Sequence, residues 1–528
     1  MDRIRRSIVH RGLLCGLGIG VLGALLLTSV AGAAEPKAPA ATTAWTPATQ
    51  IGNNLSAWFP DIALDQAGTA HIIWNASQAQ VPTTPAQGDI VAQPTLRDYL
   101  MYQRFAASDA SDNPPATDIG LAQGGEAIRN AILVDRAGTL DVLYRSSEHI
   151  WFIKAPVNAA ASAGAWSEPH WISGMGTAYY AAIAQDATGD LHVVYSENSP
   201  VDVAKGSNPT LRQSLFYRRS SDGGATWSAP IRLSSPSSLR GTTRPQIRLN
   251  GTTVVVVWDD GYDNINAAGD PTQGGMRRSD DGGRTWQPIQ AISDAGVPIE
   301  QVTFAFGKDN HALLVWRQTG KDVVRFSTSD TGGAQWSAPA AVPNIVARHY
   351  YEKHQFDRYS LAVDGAGRFH LFAVGQVDSP DHVALYHLEL RDGAWSAPQM
   401  LYNGDGFPEY PSVATDGGNR IVVSFFVRDN LFEVGNYRIW WTSGTADAQP
   451  VPARAVPTIA PTAVPTPSIA PRRAAVSPAT LPPGIVAPDD RARIDRPPGI
   501  VSFSEGVLAV TGLVGIVVVT RLWRVNRY

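Results

Sequence analysis

Three arginines, two tyrosines and three carboxylates stand at matching places in this sequence, each a fixed distance before a turn that the chain repeats. Six residues upstream of the turn are Phe59, Arg129, Tyr180, Arg244, Gln301, Arg358 and Tyr410. One residue further back are Trp58, Ile128, Tyr179, Thr243, Glu300, Asp357 and Glu409. Guanidinium forks match a carboxylate bidentately, and acids brought together shift each other's pKa. A fold that gathers these positions around one mouth would let Arg129, Arg244 and Arg358 hold an anion beside Tyr180, Tyr410, Glu300, Asp357 and Glu409. Trp58, Tyr179, Tyr180 and Tyr410 would offer faces for stacking a carbohydrate ring. The competing reading pairs the arginines with Glu300, Asp357 and Glu409 as salt bridges lining the mouth. No residue is assigned as a catalytic acid or base. No cofactor is called for, and His349 and His354 make no metal site without a third ligand.

The elements that must position these residues come from an internal repeat. Its clearest copy is "PDIALDQAGTAHIIW", Pro60 to Trp74; further copies start at Asn130, Ala181, Pro245, Val302, Tyr359 and Pro411. Each is a strand, a turn and an apolar strand. The turn falls at Asp65, Asp135, Asp186, Asn250, Gly307, Asp364 and Asp416, at intervals of 51 to 70 residues. That spacing suits one four-stranded propeller blade with its loops. A second half-unit follows, with a glycine turn and a strand expected to begin at Trp166, Trp227, Trp286, Trp336 or Trp395. The first copy has a degenerate version near Ala116–Leu121. The last has its third strand at Tyr437–Gly444 but nothing Trp-led after it, whereas "AWTPATQI", Ala44–Ile51, stands unclaimed at the other end. The predicted fold is therefore all-β: a single β-propeller over residues 44–447, with seven blades preferred to six, closed by its N-terminal strand.

The turn Ser220-Ser221-Asp222-Gly223-Gly224-Ala225-Thr226-Trp227 matches the Asp-box pattern S-x-D-x-G-x-T-W, as does Ser279 to Trp286 through Ser279, Asp281, Gly283, Thr285 and Trp286. Ser329 to Trp336 is a degraded copy, with Thr331 at the Asp position. On these boxes the chain resembles the sialidase-like, BNR-repeat propeller superfamily. Physically the box is a turn staple: Asp222 and Asp281 accept N–H groups of their own turns, glycine permits positive φ, and tryptophan packs between sheets. The resemblance places the boxes on the face opposite the ligand site. It also implies three arginines holding a substrate carboxylate, a Tyr/Glu nucleophile pair and an Asp general acid. This sequence departs from that pattern. It has no Phe-Arg-Ile-Pro motif, the nearest being Thr243-Arg244-Pro245. The expected function is binding of glycan or another extracellular polymer; the alternative is an exo-glycosidase of sialidase type acting on acidic glycosides.

The chain ends set the expected location. Residues 1–34 combine a basic start, an apolar run and Ala31-Gly32-Ala33, the layout of a cleaved signal peptide. The one cysteine, Cys15, lies inside it, so the mature chain would form no disulfide. Residues 448–500 are rich in proline, a composition that favours an extended linker. Residues 506–523 read as a membrane anchor and 524–528 as a basic cytoplasmic tail. Leu508-Ala509-Val510-Thr511-Gly512 is a weaker, sortase-like alternative. The propeller would then face the cell exterior. A formal net charge of −4 gives no reason to expect nucleic acid as a partner.

Overall fold

Aromatic and β-branched residues alternating with small polar ones, broken by Asp/Gly turns, leave this chain little choice but short strands. The computed structural model describes residues 39–455, apart from 53–55, 81–94, 107–112, 121–126, 202–209, 237–239, 350–356, 378–381 and 430–436. The expected signal peptide, membrane segment and Leu508–Gly512 motif, and His354, lie outside the described residues. So does the expected linker beyond residue 455. One short 3-10 turn, Ala163–Ala165, is the only helical element among the described residues. No helix there is long and apolar enough to cross a membrane.

Each repeat copy folds as an antiparallel meander. The first runs Ser56–Leu64, Thr69–Gln80, Thr95–Ala106 and Thr117–Asp118. The opening strands of the other copies are Ile128–Val134, Ala178–Gln185, Gly241–Asn250, Ile299–Phe306, Ser360–Val363 and Phe407–Thr415. Each opening strand lies beside the next in chain order, and Phe407–Thr415 returns to Ser56–Leu64. Second strands are buried almost throughout, as in Ala312–Gln318, because a sheet covers each of their faces. The fifth and sixth copies are joined into one sheet through Val346 with Gln376 and Ala347 with Gly375.

The outer strands begin later than the sequence reading expects. After Trp166, Trp227, Trp286 and Trp336 they start at His170, Ile231, Gln290 and Ala340. A proline intervenes in each case (Pro169, Pro230, Pro288 and Pro339), and proline has no N–H for a ladder. The tryptophans turn inward instead. Trp166, Trp227, Trp286 and Trp395 meet an aromatic on the third strand of the preceding copy edge-to-face, at 5.7 Å from Tyr102, 5.7 Å from Phe152, 5.0 Å from Tyr217 and 5.3 Å from Phe326. The box glycines make room for these rings. A Cβ on Gly224, whose φ is +83°, would lie 2.5 Å from Phe152.

Inside the copies, the turn aspartate does a second job. Asp65 Oδ1 accepts the Ala67 and Thr69 N–H groups at 2.9 and 2.7 Å, while its Oδ2 meets His71 Nε2 at 3.2 Å. Burial lowers the His71 pKa, so the ring is neutral: Nε2 donates to Asp65 and Nδ1 accepts from Tyr102 Oη at 2.8 Å. His192 repeats this with Asp186 and Tyr217. In the sixth copy a histidine stands in the tyrosine place. His370 faces Asp364 at 3.4 Å, and His387 bonds His370 at 2.9 Å. Burial, and then the neighbouring His370, push His387 down to about 3.

Ring closure follows the expected route. Ala44 and Trp45 pair with Thr445 and Gly444, and Thr49 to Ile51 pair with Trp441 to Ile439. The sixth copy clamps the same segment. Glu389 accepts the N–H groups of Thr42 and Thr43 at 3.1 and 2.9 Å, and Trp45 Nε1 donates to His387 at 3.3 Å. Contacts extend beyond residues 44–447 at both ends. Pro39 O accepts the Ala397 N–H, and Arg454 N–H donates to Gln66 O. Both ends therefore leave from the turn side, opposite the starts of the opening strands.

Two outcomes follow. A chain beginning at Gly52 exposes the apolar edge Tyr437–Thr445 and should aggregate and melt well below one beginning at Pro39; equal melting would refute the clasp. The buried histidines set the second. Their folded pKa values lie below the ordinary 6.5, so the unfolded chain takes up protons first. Stability should be fullest above about pH 6.5 and fall as pH drops toward the depressed folded values. His387→Tyr, which installs the residue of the first and third copies, should flatten that slope in thermal melts between pH 7 and 4; a wild-type melting temperature constant over this range would contradict the assignment.

Candidate functional site

The residues aligned by their distance from the turn occupy one structural position. Strand register slips there in six copies: between Trp58 and Asp61, Ile128 and Ala131, Ala178 and Ala181, Thr243 and Gln246, Glu300 and Thr303, and Glu409 and Ser412. Each slip is a β-bulge. Phe59, Arg129, Arg244, Gln301 and Tyr410 carry positive φ of 52°, 55°, 48°, 58° and 59°. Left-handed backbone at bulky residues costs on the order of 1–3 kcal/mol each and must be held by its surroundings.

A bulge strips N–H groups of their ladder partners, and here side-chain oxygens receive them. Asp259 accepts the Gln301 and Val302 N–H groups at 2.9 and 3.0 Å. Asp357, wholly buried, accepts those of Tyr410 and Arg358 at 2.7 and 2.9 Å. Ser196 Oγ accepts that of Tyr180 at 3.1 Å. Asp357, a candidate ligand-binding residue by sequence, thus holds the bulge of the seventh copy and the backbone that leads into the opening strand of the sixth.

The three arginines do not meet at one point with open forks. Arg244 donates to Asp259 at 2.5 Å and to Glu300 at 2.9 Å. Glu300 also faces Arg317 at 3.7 Å. Burial raises the Glu300 pKa, against the pull of Arg244. Arg358 bonds Asp61 at 3.1 Å and lies 4.1 Å over the Tyr410 ring. Arg129 is packed among rings, 3.8 Å from Phe59, 4.8 Å from Tyr180 and 5.3 Å from Tyr179. Glu409 is bound by Arg348 at 2.6 Å and Arg428 at 2.9 Å. Arg244 and Arg358 thus face carboxylates, whereas Arg129 packs among rings and Asp357 accepts backbone N–H groups. Only Arg244 with Glu300 is a pair within the aligned set. Asp259, Arg317, Arg348 and Arg428 are partners that the alignment missed, since three lie on second strands and Arg348 just past an outer strand, outside the register compared.

The rings are less open than their positions imply. Tyr179, Tyr180 and Tyr410 are buried, whereas Trp58 is half-exposed and sits edge-on to Tyr437 at 5.5 Å. Tyr180 donates its hydroxyl to Asn264 at 3.2 Å, and burial pushes its pKa up, so the phenol stays protonated. Inward of the bulges runs a cavity of about 520 Å³, reached by Tyr180, Arg244, Gln301, Arg358 and Tyr410 and walled by the opening strands. Two further charged residues on those strands line it, Asp61 and Arg248. Both lie a few residues past the aligned positions, where extending the same alignment finds them.

The Asp-boxes stand apart from this cavity and act on their own turns. Asp222 accepts the Thr226 N–H at 2.8 Å and the Ser220 hydroxyl at 2.7 Å, and Asp281 bonds Thr285 and Ser279 in the same way. The Thr226 bonds, first of all, hold Asp222 down at about 2. At the degraded box Thr331 Oγ1 accepts the Gln335 N–H at 2.8 Å, doing the work of the missing carboxylate. His370, His387 and Glu389 lie close enough to share a cation. Most of their ligand atoms are already engaged, those of Glu389 by Thr42 and Thr43, and His370 Nδ1 and both His387 nitrogens by each other and Trp45, while His370 Nε2 faces Asp364 at 3.4 Å.

No curated protein matches the chain. Among solved structures, a protein of unknown function from Dyadobacter fermentans DSM 18053 is 13% identical, covering 77% of this chain and 99% of that one, with a TM-score of 0.45. The NanB sialidase of Streptococcus pneumoniae is 10% identical, covering 77% and 94%, at 0.44. The polysaccharide lyase Uly1 is 10% identical, covering 73% and 89%, at 0.46. The BNR repeat-like domain family matches residues 153–423, just over half of the sequence and the stretch that carries both intact Asp-boxes. With the repeat, the boxes and the all-β meanders in agreement, this chain belongs to the BNR repeat-like family.

Proposed function

We propose that this protein is a seven-bladed propeller, displayed outside the cell on a membrane anchor, that binds glycan or another extracellular polymer at its mouth without hydrolysing it. The observation that carries the reading is the state of the mouth's acids. Glu300 and Glu409 are each bound by two arginines, and Asp357 accepts the backbone N–H groups of Arg358 and Tyr410. Glycoside hydrolysis needs a proton donor and a nucleophile or base at the scissile bond. Carboxylates committed to arginines and backbone are poorly placed for either role, and so is a protonated Tyr180 bonded to Asn264. Recognition needs only fixed polar edges and a ring face: Gln301 and Arg358 supply the first in the cavity wall, and the partly exposed Trp58, on the first opening strand, supplies the second.

The ring of opening strands supports the blade count, one meander per repeat copy with Ala44–Ile51 completing the last. The exits at Pro39 and Arg454 support outward display, since a chain tethered through its C-terminal end would point the opposite face, with the mouth, away from the membrane.

A glycan array probed with the full chain tests this. The wild type should bind a defined set of glycans, and Trp58→Ala should weaken that binding about tenfold or more. Uniform silence would refute the binding reading. Release of fluorophore from an aryl sialoside, lost in Arg244→Ala, would replace it with the exo-glycosidase.

A further inference from the structure

Two residues before each turn, the opening strands carry Ala63, Leu133, Ala184, Arg248, Ala305, Ala362 and Ala414. Five copies place alanine here and one leucine; only the fourth places a charge. Six of these seven positions line the cavity, so Arg248 interrupts an apolar belt. A guanidinium in such a belt gains nothing from its neighbours, and an arginine cannot shed its proton to escape the cost.

Its surroundings sharpen the point. Arg248 donates to the adjoining Ile247 carbonyl at 2.9 Å, and no carboxylate lies within 4.0 Å of it among the described residues. The charges that reach it are those of Arg358 and Asp61, with the arginine acting more strongly: burial first, then Arg358, lower the Arg248 pKa. Asp61 is already spent. Its Oδ1 accepts from Arg358 at 3.1 Å and from Ser412, and its Oδ2 accepts the Ile132 N–H at 3.0 Å. Arg244, the remaining arginine of the cavity wall, is neutralised by Asp259 and Glu300. The cavity of about 520 Å³ therefore holds one positive charge in excess, with polar groups from Gln246, Ser360 and Ser412 in its wall.

We infer that this channel binds an oxyanion between Arg248 and Arg358, inward of the mouth. The group is a phosphate, sulfate or carboxylate, whose oxygens suit the Arg248 fork, while the charge of Arg358, whose own nitrogens donate to Asp61, the Pro411 carbonyl and Tyr410 Oη, adds to the attraction. Low-dielectric walls strengthen that attraction relative to water and offset the cost of confining Arg248 beside Arg358. The site shares Arg358 with the proposed glycan face but turns on Arg248, and it stands whether or not that face binds.

The experiment uses the full chain and Arg248→Ala, which installs the residue that five other copies already carry. Melting is followed against sodium phosphate and, separately, sodium glucuronate, each matched to sodium chloride at equal ionic strength. The wild type should gain several degrees, saturating with concentration, from at least one of the two anions. Arg248→Ala should melt no lower than wild type in chloride and lose the gain, with affinity reduced at least about tenfold. A gain with phosphate alone identifies a free inorganic oxyanion, and one with glucuronate alone identifies the acid group of a sugar. The inference fails if neither anion stabilises the wild type beyond chloride, or if wild type and variant respond alike. It also fails if Arg248→Ala melts well below wild type in chloride, since Arg248 would then be a structural charge. Arg248→Gln, which keeps a polar side chain without the charge, should match Arg248→Ala in every arm.

Discussion

A backbone N–H that leaves its ladder inside a protein must find another acceptor, and much of the centre of this molecule is arranged around that demand. Six of the seven opening strands slip register near their start, and five of them hold a large side chain there in left-handed backbone. Where Asp259, Asp357 and Ser196 receive the orphaned donors, charge and hydroxyl chemistry at the mouth is already spoken for. Arg244 then packs against Asp259 and Glu300 because a carboxylate buried for structural reasons needs a counter-charge. Residues that look catalytic by type are in this way drawn into holding the ring together.

The outer parts solve a different problem, how to press one sheet against the next without a disulfide. The box aspartate tightens its turn, the glycine leaves space, and the tryptophan crosses to an aromatic of the preceding copy. Within a copy, a neutral histidine links the turn aspartate to the third strand. The sixth copy alters that link by using His387 in place of tyrosine, and the same histidine takes the indole N–H of Trp45 from the closing strand. Local stapling and ring closure thus share one hydrogen-bonded chain.

Such a scaffold leaves its function to a few exceptions in an otherwise repetitive wall. Membership of a repeat family does not carry any one chemistry with it, because hydrolysis depends on acids that remain available. Here Glu300 and Glu409 are each shared by two arginines. Arg248 is an exception of the opposite kind, a charge placed where five other copies supply alanine and where no carboxylate among the described residues pairs with it.

The strands, the turns, the Asp-box staples and the strand that closes the ring were all legible in the sequence, because each depends on residues close in the chain or on a period that repeats. Alternation sets which face is buried, Asp and Gly set the turn, and an unclaimed strand at one end answers a gap at the other. The common position of Phe59, Arg129, Tyr180, Arg244, Gln301 and Tyr410 was legible for the same reason. The late start of the outer strands was missed although Pro169, Pro230, Pro288 and Pro339 signalled it. Which charge meets which was decided only by the tertiary structure. Arg358 reaches Asp61, and Glu409 reaches Arg348 and Arg428, across blades and loops whose separation in the chain has no bearing on distance in space. Pairing depends on the direction of a side chain at a bulge, and a register slip of one residue reverses that direction while leaving the sequence pattern unchanged.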